Sequence, residues 1–279
     1  MSRARCKRGD TMTRQRLNLH DEDLAALARA LETDVESLRA DLTRRPVSVS
    51  DILRRPEVAE SILGDTTQLT VSPMLFFAVL IHRSADELAG SEWVDDWVSP
   101  GRRIPVFDVE PLLEFTDAPG RLLFTAQLLV DFAMPAKVPV PADRLDLEDL
   151  VSWLDAAEPA DQLVLLRQLG DLALFQAGVF PDSTGATTMT VAQAEHLGRS
   201  VHMTDDELEQ LVDQGSTTPG LDALELLSSA WYRAAADNSD AAPILLRDVA
   251  NRIRSARRFL NYVADHYLHH LQPTWAMGA

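Results

Sequence analysis

One cysteine, Cys6, and two lysines, Lys7 and Lys137, occur among 279 residues. A single thiol inside a basic leader leaves no disulfide framework, no cysteine nucleophile within a fold and no thiolate metal site, so a reducing, cytoplasmic compartment is expected. Aromatic residues make up only 6% of the chain. No GxSxG elbow, no glycine-rich turn after a strand, no HExxH and no Glu-x-x-His pair is present, so hydrolase, dinucleotide-enzyme and di-iron readings lack their defining context. Long apolar runs are missing too. The stretch VSPMLFFAVLIH at 71–82 is too short to span a bilayer, and LVLLRQLGDLALFQAGVF at 163–180 carries Arg167 and Asp171. Both read as buried core helices. The leader MSRARCKRGDTMTRQR lacks the apolar core of a secretory signal, and Met12 is a second candidate start.

What is present describes an ordinary globular chain, 46% hydrophobic and 25% charged. Its net charge of −17 argues against nucleic acid or an anionic membrane as a partner for the whole surface. The charge is also segregated. Residues 204–240 hold nine acids against Arg233, whereas 241–270 hold five arginines against Asp248 and Asp265. Intramolecular complementarity or solvated faces account for such runs in the ordinary case.

Helix start signals dominate the chain. Thr33 with Glu36, Thr190 with Gln193 and Thr204 with Glu207 have the spacing of capping boxes, in which each side chain satisfies the other residue's backbone N–H. Ser72 followed by Pro73 marks a fourth start. Apolar residues recur at helical spacing behind these signals, as in Leu24, Leu27 and Leu31. The reading is therefore an all-α, multi-helix globular bundle of about eleven helices. These are expected near 21–31, 35–43, 50–63, 73–89, 109–116, 120–133, 146–156, 160–179, 190–213 with a break, 220–237 and 243–271. Short strand candidates at Ile104–Phe107 and Val138–Val140 are weakened by prolines. A proline-rich seam at 135–144 divides a basic disordered leader (1–20) and an N-terminal helical subdomain (21–134) from a C-terminal one (145–279), or is a loop within one continuous domain. The loop 181–190 reads as a polar surface segment.

Four residues are singled out for ligand binding: Asp171, Arg252, His266 and His270. In the terminal helix, Val249, Ile253, Ala256, Leu260, Val263 and Tyr267 form one stripe, and at about 100° per residue His270 falls near its centre with His266 beside it. Two imidazoles one turn apart suit a shared metal. The remaining ligands would have to come from His82, His196, His202 or a carboxylate, and no metal site or cofactor is assigned. Alternatively the histidines bond the last carbonyls of the helix. Asp131, Arg167, Asp171 and Arg252 lie in helices that read as buried. They are expected to pair, Arg167 with Asp171 and Arg252 with Asp131 or a carbonyl, or else to line a polar pocket for a small anionic or amphipathic ligand. Residues 21–43 have a helix-turn-helix outline without the usual glycine, and Glu36 and Asp41 would face phosphates unfavourably. Trp93 and Trp97 in EWVDDWV, four apart as on one helical face, serve as a core anchor or a docking pair beside Arg102 and Arg103.

Three functions follow from these features. The leading one is a non-catalytic protein acting through protein contacts, as an adaptor, regulator or assembly subunit with a protein partner or as a homo-oligomer. The second is a small-molecule or metal-binding protein or enzyme with an interhelical pocket. The third is a DNA-binding regulator working through residues 14–55.

Overall fold

The computed structural model describes residues 19–44, 48–64, 71–133, 156, 159–184, 190–217, 220–237 and 243–270. Within them the fold is all-α, with one small β-ribbon. Residues up to Glu87 together with Thr116–Gln127 form one compact unit, and Leu88–Phe115 with Leu128 onward form a second. The seam at 135–144, the strand candidate at Val138–Val140, Cys6 and nearly all of the helix expected at 146–156 lie outside the described residues.

The first unit opens with α1 (Asp21–Ala30), α2 (Val35–Arg44), α3 (Ser48–Leu53) and α4 (Pro56–Leu63), and α5 (Pro73–Ala89) follows. The expected helix at 50–63 is two helices, because Pro56 has no N–H for a continuing ladder and starts α4 at its first position. The Thr33 box also needs correction. Thr33 donates its N–H back to the Ala28 carbonyl (2.9 Å) and so closes α1, with Glu32 at φ 51° where glycine is the usual choice. Asp34 caps α2 instead, its carboxylate accepting from Ser37 N at 2.8 Å. The Ser72–Pro73 start stands: Ser72 Oγ accepts from Leu75 N at 3.2 Å. Asp23, fully buried, ties two starts together by accepting from His20 N, Ser72 N and Ser72 Oγ at 3.0, 2.7 and 2.9 Å.

His82, one of the metal-ligand candidates, is buried in this unit and serves the core. Its Nδ1 lies 2.7 Å from the Ala78 carbonyl, which can only accept, so Nδ1 carries the proton and Nε2 accepts from Ser50 Oγ at 3.2 Å. Burial pushes its pKa down to about 4, against the Ala78 bond and with help from Arg54. The unfolded chain thus takes up this proton first, and His82 costs stability as pH falls from about 6.5 to about 4.

The second unit holds β1 (Val94–Ser99) and β2 (Arg102–Val106), paired antiparallel, with Gly101 at φ 69° in the turn. The tryptophan segment is therefore a strand and not a helix. Val and Trp fit a pleated surface, a glycine supplies the reversal, and Pro105 is tolerated because a two-stranded ribbon has only edges. After the ribbon come α6 (Glu110–Thr116) and α7 (Pro119–Ala133), both of which span the division between units.

The helices that follow are α8 (Pro159–Val179), α9 (Pro181–Thr184), α10 (Val191–Ser200), α11 (Asp205–Thr217), α12 (Leu221–Asp237), α13 (Pro243–Asn251) and α14 (Ile253–Val263), ending in a π-helical turn at Ala264–Leu268. Both remaining capping boxes are made, Thr190 with Gln193 and Thr204 with Glu207. The core of this unit is α8 packed on α12 and α14. A Cβ on Gly170 would come within 2.9 Å of the Tyr232 ring, and one on Gly178 within 2.6 Å of Leu260 Cβ, so these two glycines set how closely α12 and α14 approach α8.

Candidate ligand-binding site

The expected terminal helix is interrupted. Arg252, at φ −122° and ψ 26°, separates α13 from α14. The apolar stripe nonetheless continues, with Val249, Ala256, Leu260 and Val263 all buried. In α14 the buried arc is wider than the stripe, since Phe259, Ala264, Arg257 and Asn261 are buried too. At about 100° per residue, Arg257 and Asn261 form one edge of that arc, and Arg254 and Arg258 come next around the helix.

Arg257, 2% exposed, is the charge that the core of this unit is arranged around. Its Nε donates to Glu225 of α12, and its Nη1 donates to Asn261 Oδ1 at 2.6 Å and Asp96 of β1 at 3.2 Å. Asn261 passes the network on, its Nδ2 donating to the carbonyls of Ala177 and Gly178 in the last turn of α8, where helix carbonyls lack intrahelical partners. Burial works against the Arg257 charge, but Glu225 and Asp96 outweigh it and raise the pKa. Burial likewise raises the Glu225 pKa against the pull of Arg257. One guanidinium thereby joins α12, α14, the end of α8 and the ribbon.

The ribbon has its own fastenings. Trp97 packs in a buried cluster with Ala177 and Leu221 and donates Nε1 to Asp182 at 2.7 Å. Asp182 also accepts from Gly101 N and Arg103 Nη1, at 3.0 and 3.3 Å. Burial opposes ionisation of Asp182, yet these donors hold its pKa below the usual carboxylate value. Arg103 reaches on to Asp265 at 3.0 Å.

Between ribbon and α14 lies a pocket of about 530 Å³, a size suited to a small molecule. Val98, Ile104 and Val106 of the ribbon, with Pro111 and Leu221, give it an apolar wall. Arg254, Arg257, Arg258, Asp96, Asp108 and Asp222 supply its charged lining. Arg258 differs from its neighbour. Its side chain is 10% exposed and lies 3.1 Å from Asp96 through Nε, but the approach makes no hydrogen bond, and its buried Nη2 meets no acceptor. Its Nη1 reaches the Asp108 carbonyl only at 3.5 Å. Burial lowers the Arg258 pKa, with Asp96 opposing.

The four sequence-derived residues make their polar contacts elsewhere. Asp171 accepts from Tyr232 Oη at 2.8 Å and lies 3.6 Å from Arg167, the partner expected for it. Arg252 pairs with Asp248 (2.7 Å) and Glu114 (2.5 Å) rather than with Asp131 or a carbonyl, because the break in the helix turns it away from the stripe. His266 is exposed, bonds the Tyr262 carbonyl at 2.8 Å and stacks on the Tyr262 ring. His270 is exposed. The π turn, with its i→i+5 bonds, advances less per residue than an α-helix and carries both histidines off the projected stripe. Among the described residues no group of three or more His, Cys, Asp or Glu is placed to hold a metal. Among the arginines of residues 14–55, Arg39 pairs with Asp21, Arg54 pairs with Asp86, and Arg44 lies 3.8 Å from Asp41.

Arg257 and Arg258 lie off the centre of the apolar stripe, so the stripe alone does not single them out. The legible signal was at its edge, where Arg254/Arg258 and Arg257/Asn261 recur at i,i+4 beside buried positions. No family model, no curated protein and no solved structure matches this chain.

Burial raises the Asp171 pKa to about 6, against the pull of Arg167 and Tyr232. Its folded pKa thus exceeds its unfolded one, and ionising it costs stability as pH rises from about 4 to about 6, the opposite sign to His82. Asp171→Asn keeps an acceptor for Tyr232 and removes the charge. In urea titrations at stepped pH, the variant is expected to gain on wild type across that window by on the order of 2 kcal/mol. A difference that stays constant with pH would contradict this assignment.

Proposed function

We propose that the second unit is a non-catalytic binding module whose pocket, between the ribbon and α14, takes a small ligand. The observation that carries this reading is the pocket itself, in which Val98 and Ile104 stand 38% and 40% exposed beside a charged lining that includes Arg254 and Arg258. A ligand body laid against those two side chains removes apolar surface from water. Arg257 pairs with Asp96 and Glu225, and Arg258 lies beside Asp96, pairs that hold charge rather than move protons. This agrees with the lack of catalytic motifs in the sequence. The test is a screen of mixed anionic, neutral and cationic fragments by ¹H–¹⁵N NMR. Hits are expected to perturb 96–106 and 254–258 together and to be lost in Ile104→Trp, which fills the pocket from a strand position suited to an aromatic. A screen with no fragment at this pocket would refute the proposal.

A second reading, contact with a protein partner, draws on the other end of the ribbon. Trp93 and Phe107 flank the last paired residues, Val94 and Val106, and are 47% and 71% exposed. Glu92, Asp95, Asp108 and Glu110 surround them in sequence, so a partner offering apolar side chains flanked by basic ones fits best. Concentration-dependent association that disappears in Phe107→Ser would establish a second copy as that partner, and a strictly monomeric chain would exclude it.

A further inference from the structure

We infer that the open end of the ribbon receives a short basic peptide segment of another protein, its apolar side chains laid on Trp93 and Phe107 and its arginines or lysines against Glu92 and Asp95. This rests on the second reading above, a protein contact at that end, and adds what kind of chain the partner presents.

The register of the ribbon separates its two faces. Val94 opposite Val106 and Asp96 opposite Ile104 mark one face, from which Asp96, Ile104 and Val106 line the pocket, and Asp95 opposite Pro105 marks the other. Trp93 and Phe107 stand one residue beyond the last pair, in the same alternation as Asp95 and Pro105. All four are exposed.

The carboxylates decide what the partner carries. Glu110 lies in the first turn of α6, where an acid meets the positive end of a helix, and Asp108 supports the charge of Arg258. Glu92 and Asp95 have no such role: both are exposed, and among the described residues neither side chain is in an ion pair or a hydrogen bond. Nucleic acid or an anionic membrane would meet like charge here. So would a second copy, since a two-fold contact sets the same carboxylates on both sides. The chain's own basic leader has the charge but no aromatic or branched aliphatic side chain before Leu17. A cationic side chain set among apolar ones meets a carboxylate and a ring face together, where ion-pair and cation–π attraction act on the same group.

The size of the patch decides what form the partner takes. Trp93 and Phe107 are 47% and 71% exposed, which leaves on the order of 250 Å² of ring surface in water. A stable contact between folded domains covers about 800 Å² on each partner, so this patch suits a few side chains of a peptide. Pro105 gives no N–H to a third strand, and the segment is therefore held by side chains and not by extending the ribbon.

Three end-blocked hexapeptides test this on the full chain: alternating arginine and leucine, alternating glutamate and leucine, and alternating arginine and serine. Each is titrated and followed by ¹H–¹⁵N NMR, including the Trp93 indole. The arginine–leucine peptide is expected to shift 92–95 and 106–110, and to bind there about tenfold or more tightly than arginine–serine. The glutamate–leucine peptide should shift neither stretch. Arginine–leucine should also prefer this end to Asp205, Asp206 and Glu209, exposed acids in a helix without an aromatic side chain. Phe107→Ser should weaken it about tenfold, and Glu92→Gln with Asp95→Asn should weaken it and flatten its dependence on salt. All three side chains are exposed, so these changes do not threaten folding. Glutamate–leucine binding here as well as arginine–leucine would overturn the basic partner and leave the contact surface standing, as would self-association that Phe107→Ser abolishes. Arginine–leucine shifts confined to α11, or none at all, would overturn the proposal. If the chain is then also strictly monomeric, the contact reading falls with it.

Discussion

A guanidinium that is 2% exposed can stay charged only if the chain surrounds it with acceptors, and Arg257 draws those acceptors from three separate elements. Glu225 comes from α12, Asp96 from the ribbon and Asn261 from one turn further along α14, with Asn261 in turn closing the carbonyl end of α8. Removing one partner of such a group leaves uncompensated charge in a poorly solvated place, which is costlier than losing a surface pair. The packing of α8, α12 and α14 is thus tied to a specific register. Gly178 allows the approach that brings Asn261 within reach of the α8 carbonyls.

The pocket is a consequence of that arrangement. Asp96 is shared between Arg257 and Arg258 and gives its hydrogen bond to the first, so the second is left with an ion pair of poor geometry and a donor without an acceptor. Leaving that donor unsatisfied is a cost to the folded state, which Arg258 bears and Arg257 does not. The ribbon supplies the pocket's apolar wall and is fastened to the helices through Trp97 and Arg103.

How much of this was legible in the sequence depends on the kind of signal. Local signals were reliable: the boxes at Thr190 and Thr204 and the Ser72–Pro73 start concern residues three apart or fewer, and the chain forms them as spaced. At Thr33 the acceptor moved by one residue, because closing α1 used the Thr33 N–H and Asp34 was the next side chain able to cap. The ribbon was half visible, as a strand around Ile104. Its partner at 94–99 was read as helix because tryptophans four apart satisfy a helical period as well as they mark a strand. The site was not legible by projection. Placing Arg252 and His270 on one stripe assumed an unbroken helix, and a break at Arg252 and a π turn at Ala264–Leu268 each reset the angle. Asp96, Glu225 and Arg257 meet across more than thirty residues of sequence at the nearest, a separation no spacing rule spans.

Of two adjacent arginines, Arg257 holds the fold together and Arg258 is only partly satisfied by it. The direct measurement is the unfolding free energy of Arg257→Met and Arg258→Met beside wild type, by chemical denaturation without ligand. Arg257→Met should lose about 3–5 kcal/mol or fail to fold, because Glu225 and Asn261 are left without their donor. Arg258→Met should stay within about 1 kcal/mol of wild type, because Asp96 keeps Arg257 and a poorly satisfied charge is removed. Equal losses in the two variants, or a larger loss at Arg258, would contradict the account.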